Sequence, residues 1–196
     1  MKFKFFLFLV LNFHLSARSQ IQIGIKITGL AFHPKPLNSD LYQRKLDKTG
    51  HFVINRGILF TVQANVWKCV GIGFAQAFMT QDCADKRFGA SQIGVSLLGN
   101  LNNQHSFSGI FGPIIFYRQS WKSISNYQDD GLFKDSRNKA LQYKFVWYGG
   151  HLEYTYWFSK QAGLAVNVLP GIPKIFEFSP GVNFRSLPAS EIISPK

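Results

Sequence analysis

His151 and Glu153 are the two residues of this sequence whose types and spacing best suit chemistry. They stand two apart in an extended segment, and a strand turns alternate side chains to the same face. An imidazole beside a carboxylate can serve as a general acid and base, or as two ligands of a metal ion. A third metal ligand is not identifiable, and charges inside a protein are normally paired. We therefore favour a hydrogen-bonded network inside the fold over a catalytic pair.

The predicted network is built from polar residues that alternate with apolar ones along the chain. Its members are Lys26, Gln63, Asn65, Gln92, His151, Glu153 and Glu177. The face of His151 and Glu153 is expected to carry Trp147, Gly149, Thr155 and Trp157 as well. If the chain folds into a barrel, a lumen filled by such side chains would not conduct ions. We expect no catalytic residue, no metal ion and no cofactor.

A second candidate catalytic pair is His105 and Ser108, which stand three residues apart. The pattern is faintly similar to the His-x-Ser motif of outer-membrane lipid A deacylases, although Gly109 stands where those enzymes have asparagine. Acyl transfer could also use residues of the long loops, but no spacing singles any of them out. The enzyme alternative is a lipid-modifying barrel of the lipid A deacylase or acyltransferase type.

Secondary structure must position these side chains. The chain itself begins with a predicted export signal. Residues 1–19 start with Lys2 and Lys4, continue with a short apolar segment and end on the small-x-small site Ala17-Arg18-Ser19. That order predicts a signal peptide, since the apolar segment is far shorter than the ~20 residues that a transmembrane helix requires. We divide the chain into a signal peptide at 1–19, an outer-membrane β-barrel at 20–185 and a C-terminal tail at 186–196.

Eight extended segments follow the signal. In the first, isoleucine occupies every odd position from Ile21 to Ile27, and Gln22, Gly24 and Lys26 occupy even ones. A period of two indicates a strand with one apolar face. The segments are 21–32, 57–67, 69–79, 87–99, 105–118, 141–158, 162–169 and 174–185. Pro180 is an exception in the last of them, because proline removes a hydrogen-bond donor from a sheet.

The connections between these segments alternate in length. Residues 33–56 and 119–140 are long and 80–86 moderate, whereas Lys68, 100–104 and 159–161 are short. In bacterial barrels the long loops face the exterior and the short turns face the periplasm. We therefore predict an all-β fold, an eight-stranded antiparallel transmembrane β-barrel with up-and-down topology, located in the outer membrane with both termini periplasmic.

The composition favours an exterior that faces lipid. Charged residues make up 16% of the chain, against roughly 25% in soluble domains, and aromatic residues reach 16% with 20 phenylalanines. The formal net charge is +12, but no arm dense in Lys and Arg is present, so nucleic acid is excluded as a partner. A secreted lipocalin-like carrier, apolar inside instead of outside, is a second alternative that periodicity alone leaves open. The low charge fraction argues against it.

The long loops carry a modest basic excess. The residues expected to contact lipid head groups are Arg44, Lys45, Lys48, Lys122, Lys134 and Arg137. Phosphates of lipopolysaccharide suit such cations, although a merely solvated loop surface fits the same residues. Expected partners are outer-membrane lipid, lipopolysaccharide, the barrel assembly machinery and an unidentified protein. Interfacial girdles are predicted at Trp67, Tyr117, Trp121, Tyr154, Tyr156 and Trp157.

Several runs of the sequence, FYRQSW, NYQDDGLF, QYKFVWYGGHLEY and FEFSPGVNF, resemble small outer-membrane β-barrel proteins of Bacteroidota-type bacteria. The resemblance covers most of the mature chain and implies a fold and a compartment. Such proteins typically end on an aromatic residue that the assembly machinery reads, whereas here Phe184 and Arg185 precede SLPASEIISPK. The expected function is a non-enzymatic barrel with a plugged lumen and a structural, adhesive or accessory binding role through its outer loops.

The two cysteines, Cys69 and Cys83, bracket the third segment. An extended strand rises about 3.3 Å per residue, so its ends lie well beyond the ~7 Å limit for bridged Cα atoms. We predict two unbridged thiols, although an exported protein ordinarily pairs its cysteines.

Overall fold

The computed structural model describes residues 20–34, 38–67, 69–137, 139–171 and 175–186. The predicted signal peptide and nearly all of the predicted C-terminal tail lie outside these ranges, so the division of the chain stays a prediction. Among the described residues, no helix is both long enough and apolar enough to cross a membrane.

Nine strands are present in the described chain. They are β1 (Ile21–Phe32), β2 (Phe52–Trp67), β3 (Val70–Gln81), β4 (Phe88–Asn100), β5 (His105–Gln119), β6 (Lys134–Asp135), β7 (Leu141–Trp157), β8 (Ala162–Gly171) and β9 (Ile175–Arg185). Every strand pairing is antiparallel, β5 pairs with β7, and β1 pairs with β9, so eight long strands close into an up-and-down barrel. The two-residue strand β6 lies in a loop and pairs with β7. The predicted eight-stranded barrel is therefore confirmed.

The outer face of the barrel is apolar. Along β1, Ile23, Ile25 and Ile27 are exposed, whereas the intervening Lys26 is completely buried. A soluble carrier would need the opposite arrangement, with charge outside and apolar residues inside. The lipocalin-like alternative is therefore wrong, and the fold is that of a transmembrane barrel.

A bulge in β7 reverses part of the predicted inside and outside assignment. Gly112 pairs with Gly149 and Ile114 pairs with Val146, so Trp147 and Tyr148 together oppose Pro113. Proline supplies no backbone donor, and an extra residue at such a point turns the following side chains over. Trp147 is 75% exposed, while Val146 packs against the interior. The prediction that Trp147 shares the lumen face of His151 was wrong.

Pro180 lies at a second irregularity. The register between β1 and β9 shifts between the pairs Lys26↔Gly181 and Leu30↔Phe178. Pro180 falls in that interval, where β1 makes no regular pair with β9, so the ladder on this side requires no donor from it. The proline is therefore compatible with a barrel strand.

We call the end of the barrel with Ile21 and Arg185 the terminal end, and the opposite end, which carries the long connections, the loop end. Polar side chains fill the lumen toward the terminal end. Above them lies an apolar core formed by Leu59, Ala75, Ala77, Ala90, Ile110, Ile114, Phe116, Phe133 and Leu169. Sequence alternation did not predict this layered interior.

The aromatic girdles are smaller than predicted. Trp67 and Tyr156 are exposed near the terminal end. Trp157 is buried and donates its indole N–H to Ser106 Oγ at 2.8 Å. Trp121 is also buried, beneath the loops. Assigning Trp121 and Trp157 to a girdle was wrong, because both rings point into the protein.

Candidate functional site

A buried ion pair lies in the lumen toward its terminal end. The ammonium group of Lys26 contacts the carboxylate of Glu153, and neither side chain is exposed. Lys26 Nζ also donates to Thr61 Oγ1 at 2.7 Å. Glu153 Oε1 accepts from Gln22 Nε2 at 2.9 Å and from Asn183 Nδ2 at 2.6 Å. The two charges therefore neutralise each other, and the ion pair and its hydrogen bonds involve side chains from four different strands.

Gly24 makes room for this pair. A Cβ atom at Gly24 would collide with Lys26 Nζ, Asn183 Oδ1 and Thr61 Oγ1. The ammonium group of Lys26 occupies the space beside Gly24. The absence of a side chain at Gly24 therefore leaves room for the lumen network.

The other predicted network members form smaller groups. Gln63 Nε2 donates to Ser108 Oγ at 3.1 Å, and Ser108 Oγ donates to Glu153 at 3.4 Å, which connects Gln63 to the ion pair. His151 Nδ1 lies 3.3 Å from Gln92 Oε1 as a separate pair. Asn65 is buried, but its side-chain oxygen accepts no hydrogen bond from the described residues.

His105 and Ser108, the pair similar to the deacylase motif, do not come together in the barrel. His105 lies outside, where its Nδ1 contacts the Tyr154 hydroxyl at 2.6 Å, while Ser108 points into the lumen. The two residues therefore cannot form a nucleophile and base. Among the described residues, no group of three or more His, Cys, Asp or Glu side chains is placed to hold a metal ion.

At the loop end, the described parts of three connections fold together into a cap, formed by residues 33–34, 38–51, 82–87, 120–137 and 139–140. The amide of Gln43 donates to the carbonyl of Cys83 at 2.8 Å. Asn38 and Gln128 exchange two hydrogen bonds, at 3.1 and 2.9 Å. The indole N–H of Trp121 donates to Asp82 Oδ2 at 3.0 Å. The cap also has an apolar centre, formed by Tyr42, Val53, Cys83, Ala84 and Trp121.

Beneath the cap lies a chamber with a volume of about 70 Å³. Its apolar wall includes Met79, Phe88, Phe116, Phe133 and Leu169, all at the loop end of the lumen. Its charged and polar wall includes His33, Asn55, Asp82, Arg118, Asp130 and Glu177. A partly apolar concavity with a few convergent polar groups is the usual form of a small-molecule site.

Arg118 is fixed between the rings of the chamber. Its guanidinium carbon lies 4.0 Å from the centre of the Phe133 ring and 4.3 Å from that of Trp121. Its Nε donates to Gln142 Oε1 at 2.9 Å, and a terminal nitrogen donates to the Tyr127 hydroxyl at 2.8 Å. This cation is held by protein groups on several sides.

Two side chains on the opposite side of the chamber are only partly paired. Asn55 Nδ2 donates to Glu177 Oε2 at 3.2 Å, which leaves Asn55 Oδ1 and Glu177 Oε1 without a hydrogen-bond partner among the described residues. Both side chains are buried. Glu177, predicted for the lumen network, therefore belongs to the chamber and not to the group around Lys26.

His33 completes this polar wall. Its Nδ1 lies 3.4 Å from the Tyr42 hydroxyl, and its Nε2 has no partner among the described residues. Burial lowers the pKa of His33 from 6.5 to about 4, and His51 acts in the same direction. The imidazole is therefore neutral at neutral pH.

The six cations predicted to contact lipid head groups differ in their availability. Arg44 pairs with Asp85 at 3.1 Å, and Lys122 pairs with Asp129 at 3.0 Å and Asp135 at 2.7 Å. The remaining four are exposed and form no ion pair with described residues: Lys45, Lys48, Lys134 and Arg137. These four of the six predicted cations are thus available to the surroundings.

Sequence reasoning did not identify the chamber. Its residues Asn55 and Glu177 are separated by 122 positions and meet only because the barrel closes. The aromatic residues of the long connections, such as Trp121, Tyr127 and Phe133, were a usable signal, since solvated loops rarely need so many.

Comparison with solved structures shows which known fold this barrel resembles. Ail, the attachment invasion locus protein of Yersinia pestis, in complex with the heparin analogue sucrose octasulfate, matches at a TM-score of 0.50 and 13% identity, covering 86% of this chain and 98% of Ail. A second structure of Ail matches at 0.49 and 12% identity, with the same coverage. Neisserial surface protein A matches at 0.38 and 7% identity, covering 85% of this chain and 95% of that protein.

No protein-family model matches the sequence, and no curated protein matches it. At 13% identity, the match to Ail shows the fold alone, which is that of a small outer-membrane β-barrel. The resemblance to barrels of Bacteroidota-type bacteria stays a prediction.

Proposed function

We propose that this protein is a non-conducting barrel of the outer membrane that binds polyanionic glycans, such as lipopolysaccharide, at its loop end. The observation that carries the proposal is the contrast in electrostatic pairing along the barrel axis. The ion pair between Lys26 and Glu153 is completely buried in the lumen, which supports a barrel that does not conduct. Lys45, Lys48, Lys134 and Arg137, by contrast, are exposed on the cap and form no ion pair with described residues.

The anionic ligand is inferred from the charge of the cap. Lys45, Lys48, Lys134 and Arg137 stand on the two long connections, beyond the apolar belt of the strands. Arg and Lys bind phosphate and sulfate groups through charge-assisted hydrogen bonds, and each cation near an anionic surface contributes about 1 kcal/mol. Ail, a protein of the same fold, was solved with a polysulfated glycan, so sucrose octasulfate is a practical probe.

The decisive experiment measures binding of lipopolysaccharide and sucrose octasulfate to the barrel in detergent micelles by calorimetry. Replacing Lys45, Lys48, Lys134 and Arg137 together by glutamine should weaken binding at least about tenfold, and added salt should weaken binding to the parent protein. Lys122→Gln is the matched control, because the ammonium group of Lys122 already forms ion pairs with two carboxylates. Equal affinity of the fourfold variant and its parent would refute the proposed ligand.

The membrane location is tested separately. The mature protein should fractionate with outer membranes, and Ile25→Arg should impair insertion by roughly 2 to 4 kcal/mol if Ile25 lies near the midplane, whereas Ile25→Leu should not. Ile25 is 47% exposed on the apolar face. Recovery of the parent protein in the soluble periplasm would rule out the location. Protease access to the cap in intact cells would establish that the long loops face outward and both termini face the periplasm.

A further inference from the structure

The chamber beneath the cap contains three buried polar side chains that the protein does not fully pair. The atoms without a partner among the described residues are Glu177 Oε1, Asn55 Oδ1 and His33 Nε2. The three side chains are 5%, 6% and 4% exposed, respectively, and all line the same chamber. Buried polar groups normally have hydrogen-bond partners, so three exceptions in one cavity point to a ligand site.

Two of these atoms form a prearranged pair of acceptors. Asn55 Nδ2 donates to Glu177 Oε2 at 3.2 Å, so each side chain orients the other. A carboxylate oxygen and an amide oxygen accept hydrogen bonds and cannot donate them. The group that satisfies both must therefore be a donor.

The remaining charges of the chamber do not supply that donor. Arg118 donates to Gln142 and Tyr127 and stacks on Phe133. Asp82 accepts from the Trp121 indole and from the amides of Ala84 and Lys86. Asp130 is exposed at the rim. Glu177 is thus the buried carboxyl of the chamber that keeps an oxygen available.

The apolar wall defines the rest of the ligand. Phe88 and Phe116 lie with ring centroids 6.1 Å apart, and Met79 and Leu169 extend the same surface. Aromatic faces attract cations as well as apolar groups. A chamber of about 70 Å³ exceeds the space needed by one water molecule, and it suits a short aliphatic chain.

We propose that the chamber binds a small organic cation, a short alkylammonium. Its ammonium group donates to Glu177 Oε1 and Asn55 Oδ1, and its apolar chain lies against Phe88 and Phe116. Carboxylates of similar size are rejected because the two acceptors repel them. Neutral alcohols bind more weakly, because a hydrogen bond from a cation to a carboxylate is roughly twice as strong as a neutral one.

The experiment titrates n-butylammonium chloride into the folded barrel in detergent micelles and follows binding by calorimetry and by ligand-observed NMR, with empty micelles as the blank. Saturable binding is expected for n-butylammonium, weaker binding for butan-1-ol and none for butyrate. Glu177→Gln should reduce the affinity about tenfold or more, since one charge-assisted hydrogen bond is lost. Asn55→Leu should reduce the affinity by a smaller factor.

Asp40→Asn is the matched control, because Asp40 is an exposed acid of the same cap that does not line the chamber. Heat-modifiable migration confirms that each variant is folded, and Asn55→Leu serves as the test if Glu177→Gln does not fold. Equal affinity for butan-1-ol and n-butylammonium, unchanged affinity in the folded variants or no saturable binding would overturn the proposal. Binding of sucrose octasulfate to the outer cations should persist in Glu177→Gln, so the two proposed ligands fail independently.

Discussion

The two ends of the lumen bury polar groups in different ways. At the terminal end, strand residues meet one another across the barrel, and Lys26 and Glu153 neutralise each other with additional hydrogen bonds from Thr61, Gln22 and Asn183. At the loop end, Asn55 and Glu177 satisfy each other only in part. Strand register therefore brings opposite charges together in the cluster around Lys26 and Glu153, which we call the plug, although Asn183 Oδ1 within it has no hydrogen-bond partner among the described residues. The strand ends beneath the loops leave a chamber instead.

An apolar layer separates these two regions. Ile110, Ile114 and Leu59 of this layer are almost completely buried. Phe116, Phe133 and Leu169 belong both to this core and to the wall of the chamber. The ion pair and the chamber lie at different levels of one barrel, so changes at one end should leave the other end largely intact.

The largest expected effect tests the plug. Lys26→Met should destabilise the barrel by about 3 to 5 kcal/mol, because it leaves the carboxylate of Glu153 buried without its cation. Adding Glu153→Gln to the same variant should recover much of that loss, since an amide carries no charge to be neutralised. Denaturant unfolding in detergent micelles or vesicles measures both. A loss below about 1 kcal/mol in the single variant would mean that the plug does not depend on this pair.

The next-largest expected effect is the dependence of the stability of the cap on pH. The pKa of His33 falls from 6.5 in the unfolded chain to about 4 in the cap, chiefly because of burial. Between these values the unfolded cap binds more protons, so its stability declines as the pH falls from about 6.5 to about 4 and is fully present above 6.5. The shift corresponds to about 3 kcal/mol at most. Hydrogen exchange of the cap amides measures this decline.

A matched variant isolates His33 from the acids of the cap. Burial raises the pKa of Asp82, which changes stability in the opposite direction as the pH falls. His33→Gln keeps a polar side chain but removes the imidazole, so its cap stability should vary less between pH 6.5 and 4 than that of the parent. Identical pH profiles for both proteins would show that His33 is not the controlling group.

The two cysteines provide a smaller and more local comparison. Cys69 is exposed near the terminal end, and Cys83 is buried under the cap, where burial raises the pKa of its thiol. The folded barrel should therefore react with a maleimide at Cys69 about tenfold or more faster than at Cys83, whose reaction requires local opening of the cap. The single variants Cys69→Ser and Cys83→Ser assign the two rates. Equal rates would indicate that the cap is open.

Much of the barrel could be predicted from residue alternation alone. The first segment, Ile21–Phe32, has the same bounds in the structure, because isoleucines on one face and polar or small residues on the other permit a single orientation in lipid. β2 begins at Phe52, five residues before the predicted start, because Arg56 interrupts its apolar outer face while the backbone pairing continues.

The rest depends on contacts between distant positions. The orientation of Trp147 follows from a bulge opposite Pro113, which lies on another strand. The separation of Glu177 from the ion pair follows from its height on β9, where it pairs with Leu169 and Ala31 at the loop end. Alternation identifies the face of a residue but not its level along the barrel axis. For this reason one predicted network became a plug, a separate pair and a chamber wall.

The smallest expected effect distinguishes surface charges from the buried pair. Lys122 is exposed and contacts Asp129 and Asp135. These hydrogen bonds raise the pKa of Lys122 and lower that of Asp135, whereas the pKa of Asp129 is lowered first by the amide of Gly131 and then by Lys122. Exposed ion pairs contribute little because water and salt screen them. Lys122→Met should therefore leave the free energy of unfolding unchanged within error, while the pKa values of both acids, followed by NMR titration, rise toward the ordinary range. A loss comparable to that of Lys26→Met would mean that the cap depends on its surface charges as strongly as the lumen depends on its plug.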